Sequence, residues 1–262
     1  MPAAETNPAG EGDRPSGLAQ VEDRGRAGVH RAAPDIAPAK SAPYRRAQHD
    51  RGAETRARLV EAALDVFGRL GFEGATTRQI AKEAGANLAA IVYHFGSKEA
   101  LHRAVAEHIV ASVRARIGTV LAASANPAAA ATPDVARATL ARLLENFVEV
   151  ILGSAEAERW ARFIVREQLQ PTASFDVIYG FMGPAHGIAT HLVAVATGRS
   201  ENDEEVRLRV FTFMGQVMVF RVAQALVLRR MGWDGIGARE RTRIKEIIVA
   251  QIGAILDHEV RS

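Results

Sequence analysis

Residues 76–101 read TTRQIAKEAGANLAAIVYHFGSKEAL, and few conformations suit such a stretch. Thr76 and Gln79 have the spacing of a capping box, which satisfies free N–H groups at a helix start. Ile80, Ala81 and Ala84 give a short helix, Thr77 to Ala84, one inward face. Gly85 ends it in a tight turn that a Cβ would oppose. The small Ala86 suits close helix packing, and Asn87 can cap a second short helix, Leu88 to His94. Ile91 and Phe95 seat that helix, Gly96 and Ser97 break it, and a long helix runs from Lys98 to about Ala122. The spacing predicts a helix-turn-helix. Its second helix is free to enter a groove about 12 Å wide, the major groove of DNA.

The rest of the 262-residue chain also reads as helical, with no persuasive strand and no internal repeat. From about residue 54, Leu59, Ala62, Ala63, Val66, Phe67 and Leu70 recur at spacings of three and four, and Gly71 stops that helix. Residues 123–133 form an Ala-rich linker. Thr132 as cap and Pro133 at the first helical position then start a helix to about Leu152. Ser154 starts another, to about Leu169. Pro171 separates it from a segment of about 173–197, kinked at Gly183-Pro184. Ser200 caps a very apolar helix of about 203–231, roughly 43 Å long. The last helix, about 239–259, carries Ile244, Ile247, Ile248, Ile252, Ile255 and Leu256 as one stripe.

The expected architecture is all-α with about nine helices. A three-helix N-terminal unit bears the helix-turn-helix, and a C-terminal helical bundle follows. Residues 1–50, with six of the ten prolines, are expected to be a disordered Pro/Gly/Ala-rich tail. Residues 51–101 are expected to be the helix-turn-helix domain and 102–262 the helical bundle. The basic run Arg45, Arg46, Arg51, Arg56 and Arg58 is either a solvated charge cluster or an arm that reaches DNA.

Composition narrows the chemistry. There is no cysteine, which excludes disulfides, thiol nucleophiles and Cys-based metal sites. A net charge of +3 permits an anionic partner without demanding one. The N-terminus lacks the apolar core of a secretory signal, so a cytoplasmic location is expected. The longest apolar stretch, Phe211 to Leu228, is interrupted by Gln216, Arg221 and Gln224 and is a poor membrane span. No HExxH, phosphate loop or G-x-S-x-G elbow is present, and His186 and His191 are poorly spaced for one helix face. We therefore expect neither an enzyme, nor a metal site, nor a cofactor.

From Thr55 to Leu101 the chain resembles the DNA-binding domain of the TetR family of bacterial regulators. The resemblance is carried by Gly71-Phe72, Thr76-Thr77, Ile80-Ala81, Ala84-Gly85, Tyr93-His94-Phe95 and Ser97-Lys98-Glu99-Ala100-Leu101. It implies that Asn87, Leu88, Ala89 and Ala90 meet bases, and that Tyr93, His94 and Lys98 contact the DNA backbone. Thr77 and Arg78, at the start of the preceding helix, suit phosphates. Each has a plainer alternative: packing for Tyr93, solvation for Lys98, internal bonding for His94, capping alone for Asn87. The recognition helix is unusually apolar, and Val92 stands where the resemblance leads us to expect a polar residue. Specificity would lean on thymine-methyl contacts from Leu88 or Ala89, on Asn87 and on DNA shape.

Residues 160–184 resemble the C-terminal domain of the CecR-type branch, marked by Arg166-Glu167-Gln168, Pro171 and Phe175. Arg166 and Glu167 lie in an apolar helix, as a structural pair or as anchors for a ligand's polar group. Candidate walls of a pocket are Phe147, Trp160, Phe163, Tyr179, Met182, Met214, Met218 and Phe220, with His186, Arg221 and Gln224 as polar members. The same residues could be plain core. The helix of about 203–231 is apolar on more than one face, so it needs a second partner. Paired with the last helix and their copies, it would form a four-helix homodimer interface. The resemblance implies a ligand-responsive repressor, its partners a double-stranded, palindromic DNA operator and a small-molecule effector. A signal delivered by a protein partner is the competing reading.

Overall fold

A computed structural model describes residues 42–261, with 42–50 and 258–261 known by backbone alone. The described residues contain ten α-helices and one 3-10 turn, with no strand among them. The helices are α1 (Ala42–Gly74), α2 (Thr77–Glu83), α3 (Leu88–Phe95), α4 (Lys98–Ser124) and α5 (Pro133–Leu152). They continue with α6 (Ala155–Leu169), α7 (Phe175–Thr197), α8 (Glu204–Val222), α9 (Gln224–Met231) and α10 (Ala238–Arg261).

Local chemistry sets most boundaries. The Thr76 hydroxyl accepts from Gln79 N, and the Gln79 side chain accepts from Thr76 N at 2.9 Å, so the capping box is complete. Asn87, Ser97, Thr132 and Ser154 each cap the helix that follows. Gly85 sits at φ +59, a conformation that costs an L side chain about 1–2 kcal/mol. Gly71 interrupts α1 at φ 74. That glycine also lets Arg166 approach: a Cβ there would lie 3.2 Å from the guanidinium.

Four expectations are corrected. The helix expected from about residue 54 begins at Ala42, so the tail boundary at 50 falls inside α1. The rest of the tail lies outside the described residues. Asp203, rather than Ser200, caps α8, its carboxylate accepting from Glu205 N at 2.9 Å. The single helix expected over 203–231 is two, α8 and α9, bent by 73°. The bend has a tertiary cause. Arg221 donates to the Ile151 carbonyl at 2.6 and 2.9 Å, at the carbonyl end of α5, and to Gln224 Oε1 at 2.8 Å. Those bonds reward a break at Ala223 that no glycine or proline announces. The isoleucine stripe of α10 is also narrower than expected. Ile244, Ile248, Ile252 and Leu256 are buried at a strict spacing of four, whereas Ile247 is half exposed. By contrast, α7 runs as one helix through Pro184.

Two hydrophobic cores result. The first joins α1, α2, α3 and the start of α4 to Ala157, Trp160, Phe163 and Ile178. The second joins the end of α4 to α5, α7, α8 and α10. Val113 packs against both. Arg241 and Lys245 of α10 bind Glu149 of α5 at 2.8 and 2.9 Å. No single helix among the described residues is long and apolar enough to cross a membrane.

Candidate nucleic-acid interface and effector cavity

The turn at Gly85 holds α3 against α2 and α4, with Ile91 buried beneath it. Its other face is open. Tyr93 is 84% exposed and Val92 65%, and Asn87, Leu88 and Ala89 are exposed beside them. The Asn87 carbonyl oxygen accepts from Ala89 N at 3.0 Å, so the cap occupies one end of the amide and leaves its N–H donors for another partner. Arg78 is exposed at the start of α2, with Thr77 half-buried beside it. His94 is half-buried and meets the Tyr93 ring edge-on at 4.9 Å.

Two of the expected contacts sit differently. Ala90 packs against the first core, because at its register in α3 it shares the inward side with Ile91. Lys98 is half-buried, its Nζ 4.4 Å over the Phe72 ring. That contact holds the ammonium at the seam between α4 and the end of α1. Arg56 likewise lies over Phe95, and Arg51 and Arg58 are exposed along α1. The face presents hydroxyl, amide and guanidinium groups around an apolar patch, as phosphate clamps around a groove-reading surface require.

A cavity of about 400 Å³ lies among α4, α5, α6, α7 and α8. It gathers six of the expected wall residues: Phe147, Trp160, Met182, His186, Met214 and Met218. The other six do not line it. Phe163 is buried in the first core against His102. Tyr179 is 62% exposed on the outer side of α7. Arg166 donates to the carbonyls of Gly68 and Arg69, and Arg221 to that of Ile151. In both, a guanidinium at a helix C-terminus satisfies carbonyls that have no partner within the helix. Phe220 and Gln224 also lie outside the cavity. Sequence reasoning missed the α4 wall, Ile109, Val113, Ile117 and Leu121, whose spacing of four reads simply as core, and it missed Gln168 and Phe181.

Helix α6 faces two ways. Trp160, Ala161, Ile164, Val165 and Gln168 line the cavity. On another side, Arg159 clamps the Asp65 carboxylate at 2.7 and 2.9 Å and reaches Glu61 Oε2 at 2.8 Å. Arg166 holds the end of α1 as described. Glu167, expected as its partner or a ligand anchor, is buried and accepts from the Thr172 hydroxyl at 2.9 Å. Near it, buried His102 bonds Ser174 Oγ at 2.7 Å among the rings of Phe67, Phe72 and Phe163. Burial, reinforced by the charge of Lys98, pushes the His102 imidazole down to about 4.

The model for bacterial regulatory proteins of the tetR family matches residues 59–105. The model for the C-terminal domain of the HTH-type transcriptional dual regulator CecR matches residues 136–257. The chain is 32% identical over 209 residues to CecR of Shigella flexneri, covering 79% of this chain and 93% of that protein. The crystal structure of a TetR-like transcriptional regulator from Rhodococcus sp. RHA1 aligns with a TM-score of 0.52 at 18% identity, over 75% of this chain and 92% of the other. AibR, solved in complex with isovaleryl coenzyme A and operator DNA, aligns with a TM-score of 0.54 at 15% identity, over 76% and 97%. At those identities the two structures share the fold.

Proposed function

The chain belongs to the TetR family of bacterial regulators, with a CecR-type C-terminal domain, and from that premise we propose a repressor that a small molecule releases from a palindromic operator. It is a DNA-binding transcriptional regulator and not an enzyme. In this reading residues 51–101 bind the operator, 102–262 bind effector and partner subunit, and the protein acts in the cytoplasm.

The observation that carries the reading is the double duty of α6. One side lines the cavity and another grips α1 through Arg159 and Arg166. A ligand that wedges Trp160 or Ile164 outward displaces the same helix that holds the end of α1. The recognition helix α3 rides on that helix through the first core. A ligand shifts the balance only by binding one arrangement better than the other. Leu208, Phe211, Val219 and Val222 are exposed and share one face of α8 at 3.6 residues per turn. A second copy covering that face gives a two-fold dimer and hence a palindromic site.

Footprinting purified protein on the DNA flanking its own gene tests the reading. A discrete palindromic footprint that weakens steeply with salt is expected. Weak, uniform binding along every fragment would overturn it. The CecR relative is described as a dual regulator, so the sign needs its own test. A reporter on the footprinted promoter should rise when the regulator is removed, and a fall would sink the repressor assignment.

A further inference from the structure

A second recess, an open groove of about 830 Å³, lies among α6, the end of α1 and the bend from α8 into α9. Helix α6 gives it two rows of side chains at four-residue spacing. Glu158, Arg162 and Arg166 form a charged row, and Ala161, Val165 and Leu169 an apolar one. Val222, Ala225 and Leu228 line it from α8 and α9. Ala161 and Val165 also touch the bundle cavity, so α6 is a wall of both spaces.

Four guanidinium groups line the groove against one carboxylate, that of Glu158. Glu83 neutralises Arg69 at 2.7 Å. Glu158 lies 3.7 Å from Arg162 and 3.9 Å from Arg221, too far for a hydrogen bond to either. Arg166 spends its bonds on backbone carbonyls and meets no carboxylate among the described residues. Two positive charges are therefore unmatched. Arg162 and Arg166, four apart on one helix, repel each other. The Arg162 side chain is 49% exposed. Burial lowers the proton affinity of Arg221, and the charge of Arg162 lowers it further against the pull of Glu158. The apolar edge is open as well: Leu169 is 76% exposed and Val222 64%. Val222 belongs also to the exposed face of α8.

We propose that this groove binds a soluble amphipathic anion, one carboxylate or phosphate group on an apolar body of medium length. Arg162 and Arg166 take the head, and Val165, Leu169 and Leu228 take the body. The fork of a guanidinium suits two oxygens of such a head. A bare anion would leave the apolar wall wet, and a neutral amphiphile would leave the charges unmatched. The site lies outside the bundle cavity, and the proposal does not depend on how that cavity is read.

Isothermal titration of the full chain with four probes tests the site: octyl phosphate, inorganic phosphate, octyl glucoside and octyltrimethylammonium, each below any micelle-forming concentration. Octyl phosphate should bind saturably, one per chain, at least about tenfold more tightly than each of the others. Raising the salt about tenfold should weaken it. Arg162→Glu reverses the charge at an exposed position and should cost octyl phosphate about tenfold or more, with octyl glucoside within about twofold. Ala225→Glu, exposed on α9, should act in the same way from the other wall. Ala185→Phe, which fills the bundle cavity from α7, should leave octyl phosphate binding in place with helicity unchanged. Inorganic phosphate or octyl glucoside binding as tightly as octyl phosphate overturns the proposal, as does an affinity that survives either charge variant. Loss of binding in a folded Ala185→Phe protein overturns it by placing the probe in the bundle cavity. No saturable binding to the unaltered chain overturns it too, and assigns the groove to the contact with a second copy. If Ala185→Phe does not fold, the probe ranking and the two charge variants still decide.

Discussion

Tyr93 and His102 are two aromatic residues with opposite fates. Tyr93 is solvent-facing on a helix whose neighbour Ile91 is buried, so its hydroxyl is available to a phosphate. Tyr93→Phe should weaken operator binding by about two- to tenfold, the range of one hydrogen bond, with thermal stability unchanged. Unchanged affinity in a gel-shift titration would return Tyr93 to a surface role. His102 is buried with its folded-state proton affinity lowered to about 4 from the ordinary 6.5. Above pH 6.5 both folded and unfolded chains hold it neutral, and its contribution is fully present. As the pH falls from 6.5 towards 4 the unfolded chain binds the proton first, so stability declines. The full loss would be roughly 3 kcal/mol, reduced by Glu167, whose carboxylate lies 3.7 Å from the imidazole and favours its charge. Urea titrations between pH 7.5 and 4 should show the decline, and His102→Gln should flatten it. A slope unchanged by His102→Gln would assign the effect elsewhere.

Helix α6 is the element on which coupling depends. Its Trp160, Ile164 and Gln168 recur at four-residue spacing on the cavity side, while Arg159 and Arg166, seven apart, share another side against α1. Arg159→Met keeps the bulk and removes the charge-assisted bonds to Asp65 and Glu61. The affinity of the cavity for N-phenyl-1-naphthylamine, an uncharged dye that brightens in apolar surroundings, should stay within about twofold, because the cavity wall is untouched. The effector concentration needed to release DNA should change by about fivefold or more, in the usual range of coupling energies. Parallel changes in dye affinity and DNA release would mean that Arg159 supports the cavity rather than the connection. The break between α8 and α9 teaches a related lesson. Residues 203–231 carry a continuous helical pattern, and the bend arises from Arg221 seeking the carbonyl of Ile151 some 70 positions away.

At the scale of the whole molecule, α8 carries an exposed apolar stripe. Leu208, Phe211, Val219 and Val222 would be an aggregation hazard unless covered. Val219→Glu places a charge on that stripe without touching the cavity lining. Analytical ultracentrifugation should show the native chain as a dimer and Val219→Glu as a monomer. Operator affinity should fall by about 100-fold or more as the two half-sites lose their linkage. A Val219→Glu protein that stays dimeric would move the interface elsewhere.

What the sequence determined by itself is whatever short-range chemistry controls. Thr76, Asn87, Ser97, Thr132 and Ser154 cap the helices that follow them, because a cap needs only residues two or three positions away. Gly85 made the turn and its neighbours made the helix-turn-helix for the same reason. The cavity was half legible. Methionines and aromatics at helical spacing point inward, but periodicity does not say whether inward means core or void. Phe163 entered the core, Met182 the cavity, and Tyr179 neither. The long-range polar partners came from helix packing: Arg159 with Asp65, Arg166 with the end of α1, and Arg221 with α5. The half-buried guanidinium groups of Arg159 and Arg221 must find acceptors, and the exposed one of Arg166 reaches carbonyls at a helix end. Which acceptors lie within reach depends on how whole helices pack, and no local pattern records that.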